Sequence, residues 1–556
     1  MKKIVSFKII IFICFIALIA TQCTTKTAST IPHLEKRGLA TQLIVDGKPF
    51  LALGGELLNS SSSGLRYMDT IWPKLAKMNM NTVLGGVAWD LIEPVEGKFD
   101  FTTVDSMIQN AEKHKMKLVV LWFASWKNGM SHYAPEWVKK DTARFPRVEI
   151  ANGKKLEILS TFSKNSLQSD SKAFAALMKH IKEVDGKKHT VIMAQVENEV
   201  GIIGDSRDRS KEANNEFLNF VPAAFMQYLH KNKSSLLPEF SAFVGNNLSK
   251  DAGNWEIVFG KSTATDEMFM AWNYAQYINH VAEAGKKEYP LPMYVNAWIV
   301  QPQDKKPGDY PSGGPQKHVH DVWRAGAPKL DFLAPDIYLP EFTTITQQYA
   351  RSNNPMFVPE SFAGATGASN AFYVIGQLKS MGYSPFGIET REQNPGKGPM
   401  SNAYKVLNQL SPVILDAQSK GTIAGISLNK TDSVQTIQLG NYNLKVELRA
   451  DRRGKDIAET GYGILINTGF DEYIIAGADI EVSFSTSAPN NPTVGLASVF
   501  EGTFENGKWI PGRNLNGDEI MKNYDFAGEA LKNSTGTVAR IKGPNPGILK
   551  VKLYRY

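Results

Sequence analysis

The stretch V-I-M-A-Q-V-E-N-E-V-G, residues 191–201, decides the fold. Its apolar run ends abruptly in a polar cluster that consists of Gln195, Glu197, Asn198 and Glu199. Near-continuous apolar runs are typical of parallel strands buried on both faces, and barrels carry their reactive groups where such strands end. Alternation along an extended backbone predicts that Glu197 and Glu199 point to the same side. The stretch therefore predicts a buried barrel strand that ends in carboxylates.

The segments on either side of this stretch alternate between helix and strand patterns. A hairpin turn at Asp46-Gly47 leads into the first strand, which ends near Glu56. Helices are predicted over Tyr67–Met78, Thr102–Lys115 and Ser169–Val184. The other strands are predicted at Asn81–Trp89, Lys117–Phe123, Pro292–Trp298, Asp331–Tyr338, Pro355–Glu360 and Ser384–Glu389. This alternation predicts an α/β fold, a (β/α)8 TIM barrel over residues 41–410.

The pattern changes after about residue 410. Residues 411–556 contain short β-like runs separated by Gly, Asn and Asp, with one helix-like segment near Asp518–Leu531. Such runs predict a separate β-rich accessory domain, built as a β-sandwich or jelly roll.

The N-terminus predicts export. Three lysines precede an apolar run, Ile9–Ala20, that is too short to span a membrane, so residues 1–22 are predicted to be a signal peptide. Cys23 resembles the lipid-modified cysteine of bacterial lipoproteins, and residues 23–40 are predicted to be a tether. We therefore expect a lipid-anchored protein of the periplasm or outer membrane. Ordinary cleavage, with Cys23 an incidental thiol, is the alternative.

Composition excludes several other classes. Cys14 would leave with the signal peptide, so the mature chain would have no internal disulfide and no cysteine metal site. Removal of Lys2, Lys3 and Lys8 lowers the formal charge from +7 to about +4. No long basic run is present, so no nucleic-acid partner is predicted.

A second carboxylate, Glu360, ends another apolar run, Met356–Pro359, three predicted strands after Glu199. Two acids from non-adjacent strands can face each other across a barrel mouth, and a separation of about 5–5.5 Å suits retaining glycoside hydrolysis. We assign Glu199 as the acid/base and Glu360 as the nucleophile. Asn198 is placed to hydrogen-bond a sugar hydroxyl, and the phenol of Tyr338 could keep Glu360 ionised.

The predicted barrel resembles glycoside hydrolase family 35. The residues that carry the resemblance are G-G-E-L at 54–57, W-D-L-I-E-P-V-E-G-K-F-D-F at 89–101, Q-V-E-N-E-V-G at 195–201 and V-P-E-S at 358–361. The resemblance covers about residues 40–400 and implies a β-galactosidase-like exo-hydrolase that acts with retention. The β-rich tail looks like the accessory domain of a bacterial branch of that family.

Two positions depart from the pattern of that family. Gly86 stands where many members have Tyr on the second strand, and Ser125 stands where many have a sugar-binding Glu after the third. Galactose specificity therefore carries over less firmly than the acid pair. A β-arabinopyranosidase, β-glucosidase or β-glucuronidase remains the alternative.

Further strand-end residues are candidate sugar contacts. Glu56 and Glu389 could bind hydroxyls or be structural, and Trp126 and Trp298 could stack on a pyranose ring or pack in the core. Asn296 should point the same way as Trp298.

Other polar residues are predicted to be structural. Glu93 is interpreted as a loop-fixing acid, and Glu197 and Gln195 as supports beneath Glu199. The spacing of His318 and His320 is a weak metal pattern, so neither a metal nor a cofactor is predicted.

A different class of function also fits these features. A surface lipoprotein that binds glycans without turnover could have the same barrel. Two opposed carboxylates favour the hydrolase, because a protein that only binds has no need of them.

Overall fold

The computed structural model describes residues 31–245, 252–450, 457–487, 492–522 and 536–556. The described chain opens with a three-stranded antiparallel sheet, β1 (His33–Arg37), β2 (Ala40–Val45) and β3 (Lys48–Phe50). The predicted turn at Asp46-Gly47 joins β2 to β3, with φ of 51° and 74°. The tether predicted over 23–40 is wrong for residues 33–37, because β1 pairs along its whole length with β2.

The next strands build a parallel barrel and one separate hairpin. Their bounds are β4 (Ala52–Leu53), β5 (Thr82–Ala88), β6 (Lys117–Lys127), β7 (Arg147–Glu149), β8 (Lys155–Leu159), β9 (Val191–Asn198), β10 (Met293–Trp298), β11 (Phe332–Ile337), β12 (Val358–Ser361) and β13 (Gly382–Pro385). Strands β7 and β8 pair with each other, and the other eight lie in the order β4-β13-β12-β11-β10-β9-β6-β5. Leu57 N donates to Leu84 O, and Leu84 N donates to Gly55 O, which joins the two ends of this sheet. The predicted TIM barrel is confirmed.

Helices surround the barrel strands. They are α1 (Leu65–Lys77), α2 (Trp89–Ile92), α3 (Thr102–Lys113), α4 (Glu136–Lys140), α5 (Lys164–Asp185), α6 (Lys211–Leu218), α7 (Ala223–Lys231), α8 (Pro238–Val244), α9 (Trp255–Phe259), α10 (Thr263–Glu288), α11 (His320–Gly326), α12 (Phe342–Tyr349), α13 (Gly364–Gln377), α14 (Ile388–Arg391) and α15 (Pro399–Lys420). None of the described helices combines the length and apolar character that a membrane span requires.

Alternation along the strands separates two apolar cores. On β6, Val119, Leu121 and Phe123 belong to a cluster inside the barrel, whereas Trp122 belongs to the cluster between strands and helices. Gly86 on β5 lies against the ring of Phe123: a Cβ there would lie 2.6 Å from Cε2 of the ring. The ring of Phe123 therefore fills the space where a side chain at position 86 would lie.

The eighth predicted strand is displaced. It covers Gly382–Pro385 rather than Ser384–Glu389, because Gly387 has φ of 60° and starts α14, which carries Glu389. The other predicted barrel strands overlap the observed ones.

A β-rich region follows α15, which confirms the second part of the predicted fold class. Its strands are β14 (Ile423–Asn429), β15 (Val434–Leu439), β16 (Tyr442–Leu448), β17 (Thr460–Gly469), β18 (Glu472–Ala478), β19 (Ile480–Ser485), β20 (Val494–Glu505), β21 (Lys508–Asn514), β22 (Ala539–Ile541) and β23 (Gly547–Arg555). They form two antiparallel sheets, β14-β17-β18-β23-β20-β21 and β15-β16-β19-β22, which share one apolar core.

Two boundaries in this part of the chain differ from the predictions. The predicted boundary at 410/411 lies inside α15, whose buried face includes Leu407, Leu410 and Ile414 and continues across it. The helix predicted at Asp518–Leu531 is wrong at its start, where a single 3-10 turn, Gly517–Glu519, is followed by a β-bridge between Met521 and Thr537. Its residues from 523 onward lie outside the described ones.

Candidate functional site

The carboxyl ends of the barrel strands bring four acids and one cation together. Glu56, Glu199, Asp336, Glu360 and Lys127 are each at most 5% exposed. One side-chain oxygen from each of Glu199, Asp336 and Glu360 lies within 4.8 Å of the other two. The acid pair predicted from the sequence is therefore brought together at the mouth of the barrel.

Each acid of this pair is held by neighbouring strand ends. Tyr338, directly after β11, donates a 2.6 Å hydrogen bond to Glu360, as the sequence predicted. The backbone N–H of Glu199 donates to Oδ1 of Asn296 at 3.0 Å, and the side chain of Asn128 donates to Oε2 of Glu199. Side chains that directly follow β11 and β6 thus orient the two acids.

The surroundings shift the pKa values of the two acids to different extents. Burial and the negative charge of Glu360 raise the pKa of Glu199 to about 7. Burial also raises the pKa of Glu360, but the ammonium of Lys127 and the hydrogen bond from Tyr338 lower it. Around neutral pH, the arrangement favours an ionised Glu360 beside a Glu199 that can still hold a proton.

Asp336 is a site residue that the sequence reasoning missed. It lies on β11 and accepts a 2.5 Å hydrogen bond from Nδ2 of Asn296. Burial and the charges of Glu360 and Glu199 hold the pKa of Asp336 well above its usual range. Its position two residues before Tyr338, on the same face of a strand, was the available indication.

Lys127, the last residue of β6, was also missed. Its ammonium lies 5.0 Å from the ring centroid of Phe123 and lowers the pKa of Glu56, Glu199 and Glu360. The register between β6 and β9 shifts between Trp122 and Lys127, so alternation from the apolar part of β6 could not place this side chain.

Glu197 and Glu199 do not share a side, contrary to the prediction. Both have left-handed backbone conformations, with φ of 62° and 47°, so the extended alternation fails at the end of β9. Glu197 instead accepts hydrogen bonds from the backbone N–H groups of Ser125 (3.2 Å) and Trp126 (2.7 Å). Burial, together with the charge of Asp170, raises the pKa of Glu197 well above its usual range.

Glu197 therefore fixes the end of β6 to the end of β9, which agrees with the predicted supporting role. Gln195 contributes through a 3.1 Å hydrogen bond from its side chain to the carbonyl oxygen of Glu197.

The side chain of Asn198 is fully buried and neither of its polar atoms has a partner. A buried amide costs free energy unless it is hydrogen-bonded, so this one is available to a ligand. The side chain of Asn296, in contrast, is hydrogen-bonded to the backbone N–H of Glu199 and to the carboxyl group of Asp336. It therefore orients these two residues and is not an unpaired sugar contact.

The two tryptophans predicted as stacking platforms differ. Trp126 is wholly buried, packs edge-on against Tyr274 and Tyr277, and donates to Leu159 O at 3.0 Å. It is a core residue, which corrects the stacking prediction, because the bulge in β6 turns it away from the mouth. Trp298 is half-buried at the end of β10 and keeps its place beside the site.

Ser125 also points away from the mouth. Its hydroxyl donates to Asp170 at 2.5 Å and lies 2.9 Å from the hydroxyl of Tyr277. In many members of glycoside hydrolase family 35 this position holds a sugar-binding Glu. Here Ser125 instead belongs to a buried hydrogen-bond network with Asp170 and Tyr277.

The remaining predicted acids have distinct surroundings. Glu56 lies in the mouth, and burial and the charge of Glu360 raise its pKa well above its usual range. Glu389 accepts hydrogen bonds from Leu58 N (2.9 Å) and the hydroxyl of Ser61 (2.7 Å). Glu93 accepts from the indole of Trp89 and from Gly97 N, as expected of a loop-fixing acid.

Among the described residues, Glu199, Asp336 and Glu360 form a group whose geometry could hold a metal ion. The ammonium of Lys127 also lowers the pKa of Glu199 and Glu360 in this group. His318 lies 2.8 Å from Glu267 in an ion pair, and both ring nitrogens of the buried His320 lack partners. The predicted signal peptide and Cys23 lie outside the described residues.

Two family models match parts of the sequence. One, for glycoside hydrolase family 42 and described as Beta-galactosidase, matches residues 66–242, which include Glu199. The other, described as a domain of unknown function (DUF5597), matches residues 400–526. The carboxylates at the barrel mouth and the family 42 match both point toward the chemistry of a glycoside hydrolase. The more specific resemblance to family 35 is not confirmed.

Several solved structures are similar to part of this chain. They are the β-galactosidase from Bacillus circulans sp. alkalophilus (TM-score 0.44, 15% identity, 66% of this chain and 57% of that one), the catalytic domain of the β-amylase from Paenibacillus polymyxa (0.45, 11%, 64% and 98%) and the β-galactosidase from Rahnella sp. R3 (0.44, 14%, 66% and 57%). The chain thus spans a little over half the length of these two β-galactosidases. A search of curated proteins found no match.

Proposed function

We propose that the protein is a retaining exo-β-galactosidase that removes terminal galactose from oligo- or polysaccharides. The observation that carries the proposal is the approach of Glu199 and Glu360, whose oxygens lie within 4.8 Å across the mouth. Retaining enzymes need carboxyl groups about 5–5.5 Å apart, whereas inverting enzymes leave about 6.5–9.5 Å for a water molecule. The burial of both acids, each 5% exposed, suits a pocket that receives a chain end.

The proposed reaction has two displacements. In the first, the carboxylate of Glu360 attacks the anomeric carbon, and Glu199 donates its proton to the departing glycosidic oxygen. In the second, Glu199 takes a proton from water, the water oxygen bonds to the anomeric carbon, and the bond to Glu360 breaks. The pKa of Glu199 near 7 suits a group that both gives and takes a proton.

Other residues prepare these steps. The unpartnered amide of Asn198 is available to a sugar hydroxyl beside the anomeric centre. Tyr338 and Lys127 lower the pKa of Glu360 and so favour the ionised nucleophile.

The test is hydrolysis of 4-nitrophenyl β-galactoside by single variants. Glu199→Gln should lower kcat by about 10²–10⁴-fold, because the attack of water in the second displacement loses its base. Glu360→Gln should lower kcat/KM by at least as much, because the first displacement loses its nucleophile. Glu183→Gln, on an exposed face of α5, is the matched control and should leave the rate unchanged. Azide added to Glu360→Ala should yield α-galactosyl azide, while the wild type should release β-galactose first in ¹H NMR. Full activity in either Gln variant would disprove the mechanism.

A different terminal sugar is the second candidate. Two observations favour it: the ring of Phe123 fills the space beside Gly86, and Ser125 is turned into the Asp170 network. A panel of nitrophenyl β-arabinopyranoside, β-glucoside, β-glucuronide and β-galactoside decides between the sugars by comparison of kcat/KM.

We also propose that the enzyme reaches the periplasm or outer membrane as a lipoprotein attached through Cys23. The basic and apolar residues before Cys23 support this proposal. Metabolic labelling with palmitate should mark the wild type but not Cys23→Ser. Equal labelling of both would refute the anchor.

A further inference from the structure

A cleft of about 420 Å³ lies between the barrel and the β-rich region. Its walls come from α12 and α13 on the barrel side and from β14 and β15 on the other side. Its volume lies within the range of sites that bind small molecules, about 300–1,000 Å³. None of the four mouth acids lines this cleft.

The lining of the cleft is neutral and rich in amides and hydroxyls. Its polar side chains include Gln347, Asn370, Gln377, Asn429, Gln435 and Thr436. Of the described residues that line it, Asp432 alone is charged. Amides and hydroxyls both donate and accept hydrogen bonds, so they suit a ligand with many hydroxyls and no net charge.

Asn370 supplies an independent indication of a ligand. It is 7% exposed, and its Nδ2 has no hydrogen-bond partner. The nearby hydroxyl of Tyr383 donates to Phe362 O at 2.7 Å and is not in hydrogen-bond geometry with the amide. By contrast, Gln347 is already paired with the hydroxyl of Tyr373 at 2.9 Å. A buried unpaired donor costs free energy that a bound hydroxyl would recover.

The cleft begins close to the mouth of the barrel. Pro340, at its near end, follows Tyr338 by two residues, so their Cα atoms are at most about 7 Å apart. From Asn370 to Gln377 the cleft follows α13 for about 10 Å down the barrel wall. A chain that leaves the mouth over the end of β11 therefore meets the cleft directly.

We propose that this cleft is a second carbohydrate site, which holds the inner sugars of a neutral glycan whose terminal sugar occupies the barrel mouth. The inference rests on the proposed function, since it takes the mouth as the place of the terminal sugar. It also gives the β-rich region a role in substrate selection, because β14 and β15 form one wall. Neutral glycan chains would then be favoured over terminal disaccharides and over anionic glycans.

The experiment compares long and short substrates in the full-length protein. The probes are lacto-N-neotetraose, a neutral tetrasaccharide that ends in β-galactose, and 4-nitrophenyl β-galactoside. Gln347→Ala combined with Gln435→Ala should raise KM for the tetrasaccharide about tenfold, with little change in kcat, because about one net hydrogen bond is lost. The aryl galactoside should be hydrolysed at the wild-type rate. Gln348→Ala, next to Gln347 on α12 but outside the cleft, is the matched control.

Binding to Asn370→Ala provides a second measurement. Calorimetry on Asn370→Ala in the Glu360→Gln background should show weaker binding of the tetrasaccharide, while the melting temperature stays unchanged. An unchanged affinity, or a large loss of thermal stability, would overturn the assignment of Asn370 as a ligand group. Tetragalacturonate should not compete for the site.

The two proposals can fail separately. If the wild type does not hydrolyse the aryl galactoside, the proposed function fails. If it does, and the double Gln variant handles the tetrasaccharide as the wild type does, the cleft proposal is overturned and the proposed function stands.

Discussion

Lys127 places a positive charge next to three of the four mouth acids. It lies at the end of β6, almost wholly buried, and lowers the pKa of Glu56, Glu199 and Glu360. A single cation thus affects both members of the proposed catalytic pair. Removal of this charge should change the pKa values of Glu199 and Glu360 more than the positions of their side chains.

We expect Lys127→Met to move the whole pH profile of kcat/KM toward alkaline pH. Loss of the ammonium raises the pKa of Glu360, which must be ionised, so the acidic limb of the profile moves to higher pH. The same loss raises the pKa of Glu199, which must be protonated, so the alkaline limb also moves to higher pH. A shift of about one pH unit is expected for a neighbouring charge.

The matched control for this shift is Lys117→Met, at the opposite end of β6. Lys117 binds Asp46 and the carbonyl oxygen of His189, so its loss should affect stability but not the pH profile. If both limbs of the Lys127→Met profile stayed at their wild-type pH, Lys127 would not control the pKa values of the two acids.

Single residues also show how far sequence reasoning reaches. Glu199, Glu360 and the hydrogen bond from Tyr338 could be predicted, because each residue follows an apolar run on a strand. Lys127 could not be placed, since the bulge in β6 interrupts the alternation on which such predictions depend. Asp336 could have been found from its position two residues before Tyr338, but its raised pKa comes from burial and from Glu360 and Glu199, which no local pattern reports.

At the scale of elements, apolar runs predicted where the barrel strands lie, but they predicted the ends of those strands less accurately. The eighth strand was displaced because Gly387 takes a left-handed conformation and turns the chain into α14. The same cause misplaced Glu197, whose φ of 62° ends the alternation of β9. Strand ends depend on individual dihedral angles, which the apolar pattern does not encode.

The contact between β5 and β6 at Gly86 carries a prediction about stability. Gly86→Ala should lower the free energy of unfolding by about 1–3 kcal/mol, because the new Cβ would lie 2.6 Å from the ring of Phe123. Phe123→Leu added to this variant should recover part of the loss. Urea denaturation measures both effects.

Gly64→Ala provides the comparison for this change, since its Cβ would meet nothing closer than Cβ of Tyr67 at 3.4 Å. Because Gly→Ala by itself lowers the entropy of the unfolded chain and favours the fold, equal losses in the two alanine variants would show that contact with the ring of Phe123 does not explain the effect.

At the scale of the whole molecule, the barrel and the β-rich region share a core. Ile464, Ile466 and Ile474, from β17 and β18, belong to the same buried cluster as the outer face of the barrel. Gly376 on α13 and Gly425 on β14 approach so closely that a Cβ on Gly376 would lie 2.7 Å from the Cα of Gly425. The change of composition after residue 410 predicted a second region but gave no indication of this shared packing.

We therefore expect the full chain to unfold in a single calorimetric transition. A chain that ends after residue 421 should be insoluble or unfolded, because it would expose the apolar side of α13 and α15. Two well-separated transitions, or a soluble and active truncated chain, would show that the regions are independent.

The hydroxyl of Tyr404 links the shared core to the barrel through hydrogen bonds. It lies on α15, 2.7 Å from the carbonyl oxygen of Gly54, directly after β4, and 2.8 Å from that of Tyr383 on β13. Strands β4 and β13 are the first and last barrel strands in chain order, and we call the junction where they pair the seam. The helix that leads into the β-rich region thus also closes the ring of strands. Recombination that exchanged the β-rich region together with α15 would open that seam, so the barrel and its companion should be inherited as one unit.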